Sequence, residues 1–509
     1  MISDRDRTSS ILHFIGALIF TIGLTMLLPI SVVFLYGEAD SSFTTLLSFL
    51  LPAFLCILSG IIVKSQFKYH PPDTKGAMLI TVYGWLTACI LGGLPYLLAL
   101  KVPFVDAFFE SVSGFTTTGI TVFTNLDTMP RSILFWRSLT QWFGGLGILT
   151  FFLAITFRGG SASSTIFGAE SHKISSTRPV PGMFNSIKIL WGIYIIFSLA
   201  SLILFLLEGM NPFDAVCHML TCISTGGFST HDANIAYFAQ SGFKNSLLIE
   251  YTIAFFMLCG GINFFIHYRV FKGEFRFLVK DFEIRWYWWF IICATLIIML
   301  DHFFKVDAAG GILSFFHLDG AFAAILENFR YSFFQVVSFI SGTGYVTKDI
   351  NSAFFPVLSK QIILILMVVG GCVGSTTGGF KILRVAILHK MIGREIFKIR
   401  KIKGAVAPVV VNKKIIPRAE LEKIAALFFA WILFIIVGGA ITAFFSDLGP
   451  WESYSGMFSA LGNMGPMYIS TPQMISLNPV IKLTYIVGMI AGRLEILPII
   501  YILKIKNWR

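Results

Sequence analysis

The chain has 509 residues, of which 56% are hydrophobic and 13% charged, and its mean hydropathy is +0.79. That composition excludes a soluble multidomain protein and puts the chain in a lipid bilayer. The net charge of +12 does not point to nucleic acid, because the basic residues sit in short segments between apolar runs rather than on one soluble face.

Apolar runs recur from Ile11 to Ile505 and predict an all-α polytopic protein with about ten full spans and four shorter re-entrant segments. The first run is too long for a removable signal peptide and lacks a small-residue cleavage site. Two spans come first, about Ile11–Tyr36 and Thr44–Val63, within a segment 1–75. A unit then repeats four times, over 76–184, 185–280, 281–417 and 418–509. Each unit reads as a span, an outward connector, a short amphipathic helix, a glycine turn, a polar return and a second span. An even number of spans per unit predicts parallel repeats about an axis along the membrane normal, a pseudo-fourfold pore.

The charges set the orientation. Lys64, Lys68 and Lys75, then Arg158, Lys173 and Arg178, then Arg269 to Arg285, then Lys381 to Lys423, and finally Lys504, Lys506 and Arg509 occupy alternate connectors. The positive-inside rule places these in the cytoplasm, with both termini inside. The opposite connectors are leaner in Lys and Arg and carry Glu38, Asp40, Asp106, Asp127, Asp214, Asp232, Asp319, Asp349 and Asp447. The seven cysteines are scattered through apolar sequence without a CxxC pair, which suits packing rather than metal or disulfide chemistry.

The four glycine turns are Ser113-Gly-Phe-Thr-Thr-Thr-Gly119, Cys222-Ile-Ser-Thr-Gly-Gly227, Phe339-Ile-Ser-Gly-Thr-Gly344 and Ala460-Leu-Gly-Asn-Met-Gly465. Three of the helices before them begin near Asp106, Asp214 and Glu452, close after Pro103, Pro212 and Pro450. Proline in the first turn and an early acid are helix-start signals, so each C-terminus points at its glycine turn. The third unit departs, with Glu327 and Arg330 and no proline before them. Four converging C-terminal dipoles favour a cation, and glycine turns at membrane depth can ring it with backbone carbonyls. Degenerate turns predict few complete rings and moderate selectivity among monovalent cations. Close helix packing by small residues is the alternative for any one turn.

Two further pieces lie below the turns. The stretch Gly370-Gly-Cys-Val-Gly-Ser-Thr-Thr-Gly-Gly379 in the third unit's second span weakens helix, and reads as an unwound loop able to obstruct a pore. Arg493 lies inside the last apolar run, where a charge needs a partner or a watery path. Its options are an electrostatic barrier below the turns or a structural pair with Glu495. Glu110 reads as a hydrogen-bond brace behind the first turn. The histidines have no metal-ligand spacing, and no catalytic motif occurs, so an enzyme is not expected.

These residues resemble the potassium transporter superfamily that includes TrkH, TrkG and KtrB. The resemblance rests on Phe109-Glu-Ser-Val-Ser-Gly-Phe-Thr-Thr-Thr-Gly119, Ser224-Thr-Gly-Gly-Phe-Ser229, Phe334-Gln-Val-Val-Ser338 and Gly492-Arg-Leu-Glu495. Trp136-Arg-Ser-Leu-Thr-Gln-Trp-Phe-Gly-Gly145 and the Gly370–Gly379 stretch belong with them. The extra N-terminal pair of spans looks like the TrkH/TrkG branch. The resemblance implies that Gly119, Gly226, Gly344 and Gly465 are filter glycines. The residues just before them, Thr117 and Thr118, Ser224 and Thr225, Gly342 and Thr343, Asn463 and Met464, would line the ion site. It implies a gate of Gly370, Gly371, Gly374, Ser375, Thr376, Thr377, Gly378 and Gly379 with Arg493. It further implies K⁺ as the transported ion, a homodimer with a pore in each subunit, and a cytosolic nucleotide-binding ring subunit resembling TrkA. This chain has no nucleotide fingerprint of its own, and no cofactor is expected in it. Met467 is a departure, standing where the family usually has glycine. The expected function is potassium uptake across a bacterial inner membrane; a Na⁺-coupled solute symporter with broken helices is the alternative, and it predicts inverted rather than parallel repeats.

Overall fold

The computed structural model describes residues 4–38, 43–147, 183–307, 320–400, 407–496 and 498–499. Among them the regular structure is helical apart from a two-stranded antiparallel ribbon pairing Val410–Val411 with Lys414–Ile415, with non-helical turns and loops between the helices. Arg158, Lys173, Arg178, Lys401, Lys403, Lys504, Lys506 and Arg509 lie outside the described residues.

Six described helices are long and apolar enough to cross a membrane: Asp4–Leu35, Phe43–Gln66, Lys75–Leu100, Asn185–Leu207, Phe282–Asp307 and Arg418–Phe444. The first two fit the expected N-terminal pair. They meet closely at glycines: a Cβ on Gly60 would come 2.5 Å from the Phe20 amide nitrogen, and one on Gly16 2.7 Å from that of Lys64. Small residues let two backbones approach to this degree, which is how apolar helices associate where lipid is as apolar as they are.

The expected count of about ten full spans is not met among the described residues, where the second helices of the second and third units are interrupted. Ser246–Gly261 and Phe264–Phe271 are bent by 105°. Arg131–Gly145 ends on Gly144-Gly145, Val357–Val369 ends at Gly370, and Pro479–Arg493 ends one residue after Gly492. Each of these helices stops at or beside a glycine, which offers no side chain to pack and has low helix propensity.

The re-entrant helices form where expected in three units: Phe104–Phe115 after Pro103, Pro212–Ile223 capped by the Asn211 side chain, and Pro450–Gly462. The third differs. It runs Ala321–Ile340, 20 residues, so Glu327 lies inside it rather than at its start. Without a proline to set the first turn, the helix extends back to Gly320, whose φ is +99°.

Candidate functional site

All four re-entrant helices end at a glycine turn with one shared geometry. In the first, the Thr118 and Gly119 amides both donate to the Ser113 carbonyl; Gly226 and Gly227 do the same to Thr221, and Thr343 and Gly344 to Ser338. In the fourth, Met464 donates to Ser459. Each turn carries two left-handed residues two apart: Thr117 and Gly119, Thr225 and Gly227, Gly342 and Gly344, Asn463 and Gly465, with φ between +53° and +97°. The equivalent triplets are therefore 117–119, 225–227, 342–344 and 463–465. This corrects the second turn by one residue. Gly227 stands where Gly226 was expected, because Gly227 has φ +78° whereas Gly226 is not left-handed. Ser224 then falls outside the triplet, as the C-terminal cap of its helix.

The turns meet in cyclic order. A Cβ on Gly119 would collide with the carbonyl oxygen of Gly226, one on Gly227 with that of Thr343, and one on Gly344 with that of Met464; one on Gly465 would come 2.9 Å from that of Thr118. The four carbonyls belong to the equivalent middle residues. Each occupies the space that the next turn's glycine leaves by having no side chain. Thr118, Gly226, Thr343 and Met464 are all buried. The carbonyls of Thr118, Thr343 and Met464 accept no hydrogen bond among the described residues. That is unusual for buried backbone oxygens. Four helix C-termini end here, and their dipoles place partial negative charge at the ring, which favours a cation over an anion.

Braces sit behind the turns at one equivalent position. Buried Glu110 accepts from the Thr121 hydroxyl (2.9 Å), the Val122 amide (3.0 Å) and Arg137 Nε (2.8 Å), which is the brace expected of it. In the second unit His218 lies 3.1 Å from the Ser229 hydroxyl, and in the third Gln335 donates to the Tyr345 carbonyl at 3.3 Å. The fourth has Gly456, whose missing side chain makes room for the Tyr485 hydroxyl; there Ser455 accepts from the Tyr468 amide instead.

Below the ring lies the stretch 370–379, non-helical as expected, from the Gly370 cap (φ +64°) to Gly379 (φ +83°). Its backbone is tied to the second unit's break: Cys372 donates to the Gly261 carbonyl and Phe264 donates to that of Gly374. Ser375 and Thr377 hydroxyls lie 2.8 Å apart. The Thr225 hydroxyl donates to that of Thr376 at 3.2 Å. Cβ atoms on Gly342 and Gly378 would touch Thr377 (3.3 Å) and Asn463 (2.6 Å), while one on Gly371 would meet Thr377 at 2.7 Å. The loop thus abuts the second, third and fourth turns.

Arg493 supplies the link to the first. Its guanidinium donates to the Thr376 carbonyl (2.7 Å), the Gly145 carbonyl (2.6 Å), the Gly144 carbonyl and the Thr117 hydroxyl (3.2 Å). The Gly144 and Gly145 carbonyls end a helix, so the guanidinium caps its negative pole. Glu495 is paired elsewhere, with Arg384 at 2.5 Å, which removes the Arg493–Glu495 alternative. Lys381 donates into the loop at Thr377 Oγ1, 2.9 Å.

Two contributors were not assigned from sequence. Gln141 donates to the Gly226 carbonyl at 2.7 Å, and Arg137 reaches the Ser229 carbonyl at 3.3 Å. Both lie in the Trp136–Gly145 motif, which was legible as a signature without saying which residue touches a turn.

The family described as "TrkH: Cation transport protein" matches residues 49–507. The chain is 29% identical over 508 residues to the Trk system potassium uptake protein TrkH of Escherichia coli K12, covering 98% of this chain and 99% of that one. It is 30% identical over 507 residues to TrkG of the same organism, covering 98% of each. The crystal structure of the potassium transporter TrkH from Vibrio parahaemolyticus superimposes with a TM-score of 0.83 at 28% identity, covering 99% of this chain and 100% of that one. With a re-entrant, multi-span helical fold and a match across nearly its whole length, this chain belongs to the TrkH family of cation transport proteins, which are transporters and not enzymes.

Proposed function

We propose that this protein takes up K⁺ across a bacterial inner membrane through a channel-like pore, with both termini in the cytoplasm. The filter is built from Thr117-Thr118-Gly119, Thr225-Gly226-Gly227, Gly342-Thr343-Gly344 and Asn463-Met464-Gly465. One observation carries the reading: four equivalent buried carbonyls sit in cyclic contact, three of them without a hydrogen-bond donor among the described residues. Such oxygens replace the hydration shell of a monovalent cation. The relatives' names, Trk system potassium uptake proteins, supply the ion.

The Gly370–Gly379 loop and Arg493 act as the gate. A positive guanidinium beneath the filter opposes a dehydrated cation, and the loop fills the path. Uptake is driven by the membrane potential, about 2.3 kcal/mol per charge per 100 mV. Two copies assemble with a pore in each, and a cytosolic nucleotide-binding ring subunit resembling TrkA controls the gate. The test is the reversal potential in opposed K⁺ and Na⁺ for the reconstituted protein and Gly119→Ser. The parent prefers K⁺, and the variant loses conduction or preference because its side chain displaces the Gly226 carbonyl. A parent that conducts neither cation ends the proposal.

A further inference from the structure

Thr118, Gly226, Thr343 and Met464 hold equivalent places in their turns, yet only Gly226 lacks a side chain. Backbone conformation does not demand this glycine, since its φ lies outside the left-handed region. A neighbour does: a Cβ on Gly226 would collide with the carboxamide of Gln141.

Gln141 is fully buried and grips this turn from two sides. Its Nε2 donates to the Gly226 carbonyl at 2.7 Å, and its Oε1 accepts from the Phe228 amide at 3.1 Å. The carboxamide therefore bridges the residues before and after Gly227, as a neighbouring peptide unit would. The other three middle carbonyls have no such donor among the described residues. The helix carrying Gln141 is itself fixed, with Trp136 Nε1 donating to the Gly92 carbonyl at 2.9 Å, Arg137 paired to Glu110 and Trp142 Nε1 donating to Ser198 at 3.1 Å. Gln141 is thus a rigid anchor and not an adaptable surface group.

Resting on the pore reading above, we infer that Gln141 is a specificity-determining positioning residue: it fixes the direction of the Gly226 carbonyl and engages one of its lone pairs. The second quarter of the ring becomes a stiffer and weaker ligand than the other three. A ring held open on one side discriminates against the smaller cation, which needs all its oxygens to close in. Releasing the carbonyl lets the ring contract around Na⁺.

The experiment uses the full chain in proteoliposomes and compares Gln141→Met, which keeps the length and removes both hydrogen bonds, with Gln141→Glu. The latter keeps an acceptor for the Phe228 amide and, when ionised, loses the donor to Gly226. The readouts are the Na⁺/K⁺ permeability ratio from reversal potentials and, separately, the melting temperature. The ratio is expected to rise about fivefold in each variant, the factor that one hydrogen bond's net contribution represents, while K⁺ still permeates. A merely structural role would lower the melting temperature and leave the ratio at the parent value, and that result overturns the inference. If Gln141→Met does not fold, the ratio of Gln141→Glu decides by the same criterion. Absence of K⁺ permeation in the parent instead overturns the pore reading itself.

Discussion

Glycine does different work at different positions in this chain, and the distinction is testable. Gly344 has φ +78°, and a side chain there would collide with the Met464 carbonyl. Gly192 has no atom within 4 Å of an added Cβ, lies inside a helix and needs no special φ. Gly344→Ala is therefore expected to lower K⁺ flux about tenfold or more, from backbone strain and displacement of a ring oxygen. Gly192→Ala leaves flux unchanged and is worth up to about 1 kcal/mol of stability through helix propensity. Rubidium uptake by both variants reads the contrast. Of the filter residues expected from sequence, those of the first, third and fourth turns form triplets of one geometry. The second was displaced by one, since Thr225-Gly226-Gly227 contains two glycines and only backbone conformation tells which is left-handed. The sequence also hid why Gly226 is glycine, because the reason is a side chain 85 residues away.

Among the elements, the short helices were legible through Pro103, Pro212 and Pro450, while the start of the third, at Ala321, could not be read where that signal is missing. The broken second helix of the second unit was harder to foresee. Gly260-Gly261 lies in an apolar run long enough to be read as a full span, and only the 105° bend reveals the break. The Gly370–Gly379 loop was visible because its glycines are dense. Arg493 ties that loop to the first turn and to the Gly144 and Gly145 carbonyls. Arg493→Ala removes both the tie and the charge, and basal K⁺ flux without any partner protein is expected to rise about tenfold, the effect of roughly 1.4 kcal/mol on a barrier. Unchanged flux would take Arg493 out of the gate.

In the loop after the second turn, His231 bridges the first and second units, 2.5 Å from Asp127 and 3.4 Å from Asp214. Burial lowers its pKa, but the two carboxylates outweigh this and the net shift is upward. The raised pKa means the clasp's stability is fully present below the ordinary histidine value near 6.5 and is lost as pH rises through the folded-state value. The melting temperature should fall across that window in the parent, and His231→Gln should flatten the fall. An equal slope in both would show that the clasp does not hold the units.

Over the whole molecule, the four units are joined in the order of the turns. Arg137 of the first reaches the Ser229 carbonyl of the second, and Glu250 of the second pairs with Arg330 of the third at 2.6 Å. The Tyr468 hydroxyl of the fourth donates to the Lys360 carbonyl of the third at 2.6 Å, and Lys482 of the fourth pairs with Asp106 of the first at 2.6 Å. The last contact closes the circle. The recurrence of four glycine turns was legible in the sequence, but these contacts were not, since their chemistry differs at every joint. Breaking one partner of such a buried pair strands a charge, at a cost of about 3–5 kcal/mol.

The central claim is that the carbonyl oxygens of Thr118, Gly226, Thr343 and Met464 jointly hold the transported ion. Crystals of the full chain grown in Rb⁺ or Tl⁺ test this most directly through anomalous scattering. The account predicts a peak on the axis within coordination distance of all four oxygens, lost when Na⁺ replaces the heavy cation. A heavy-cation peak elsewhere along the path, with none at this ring, would contradict it.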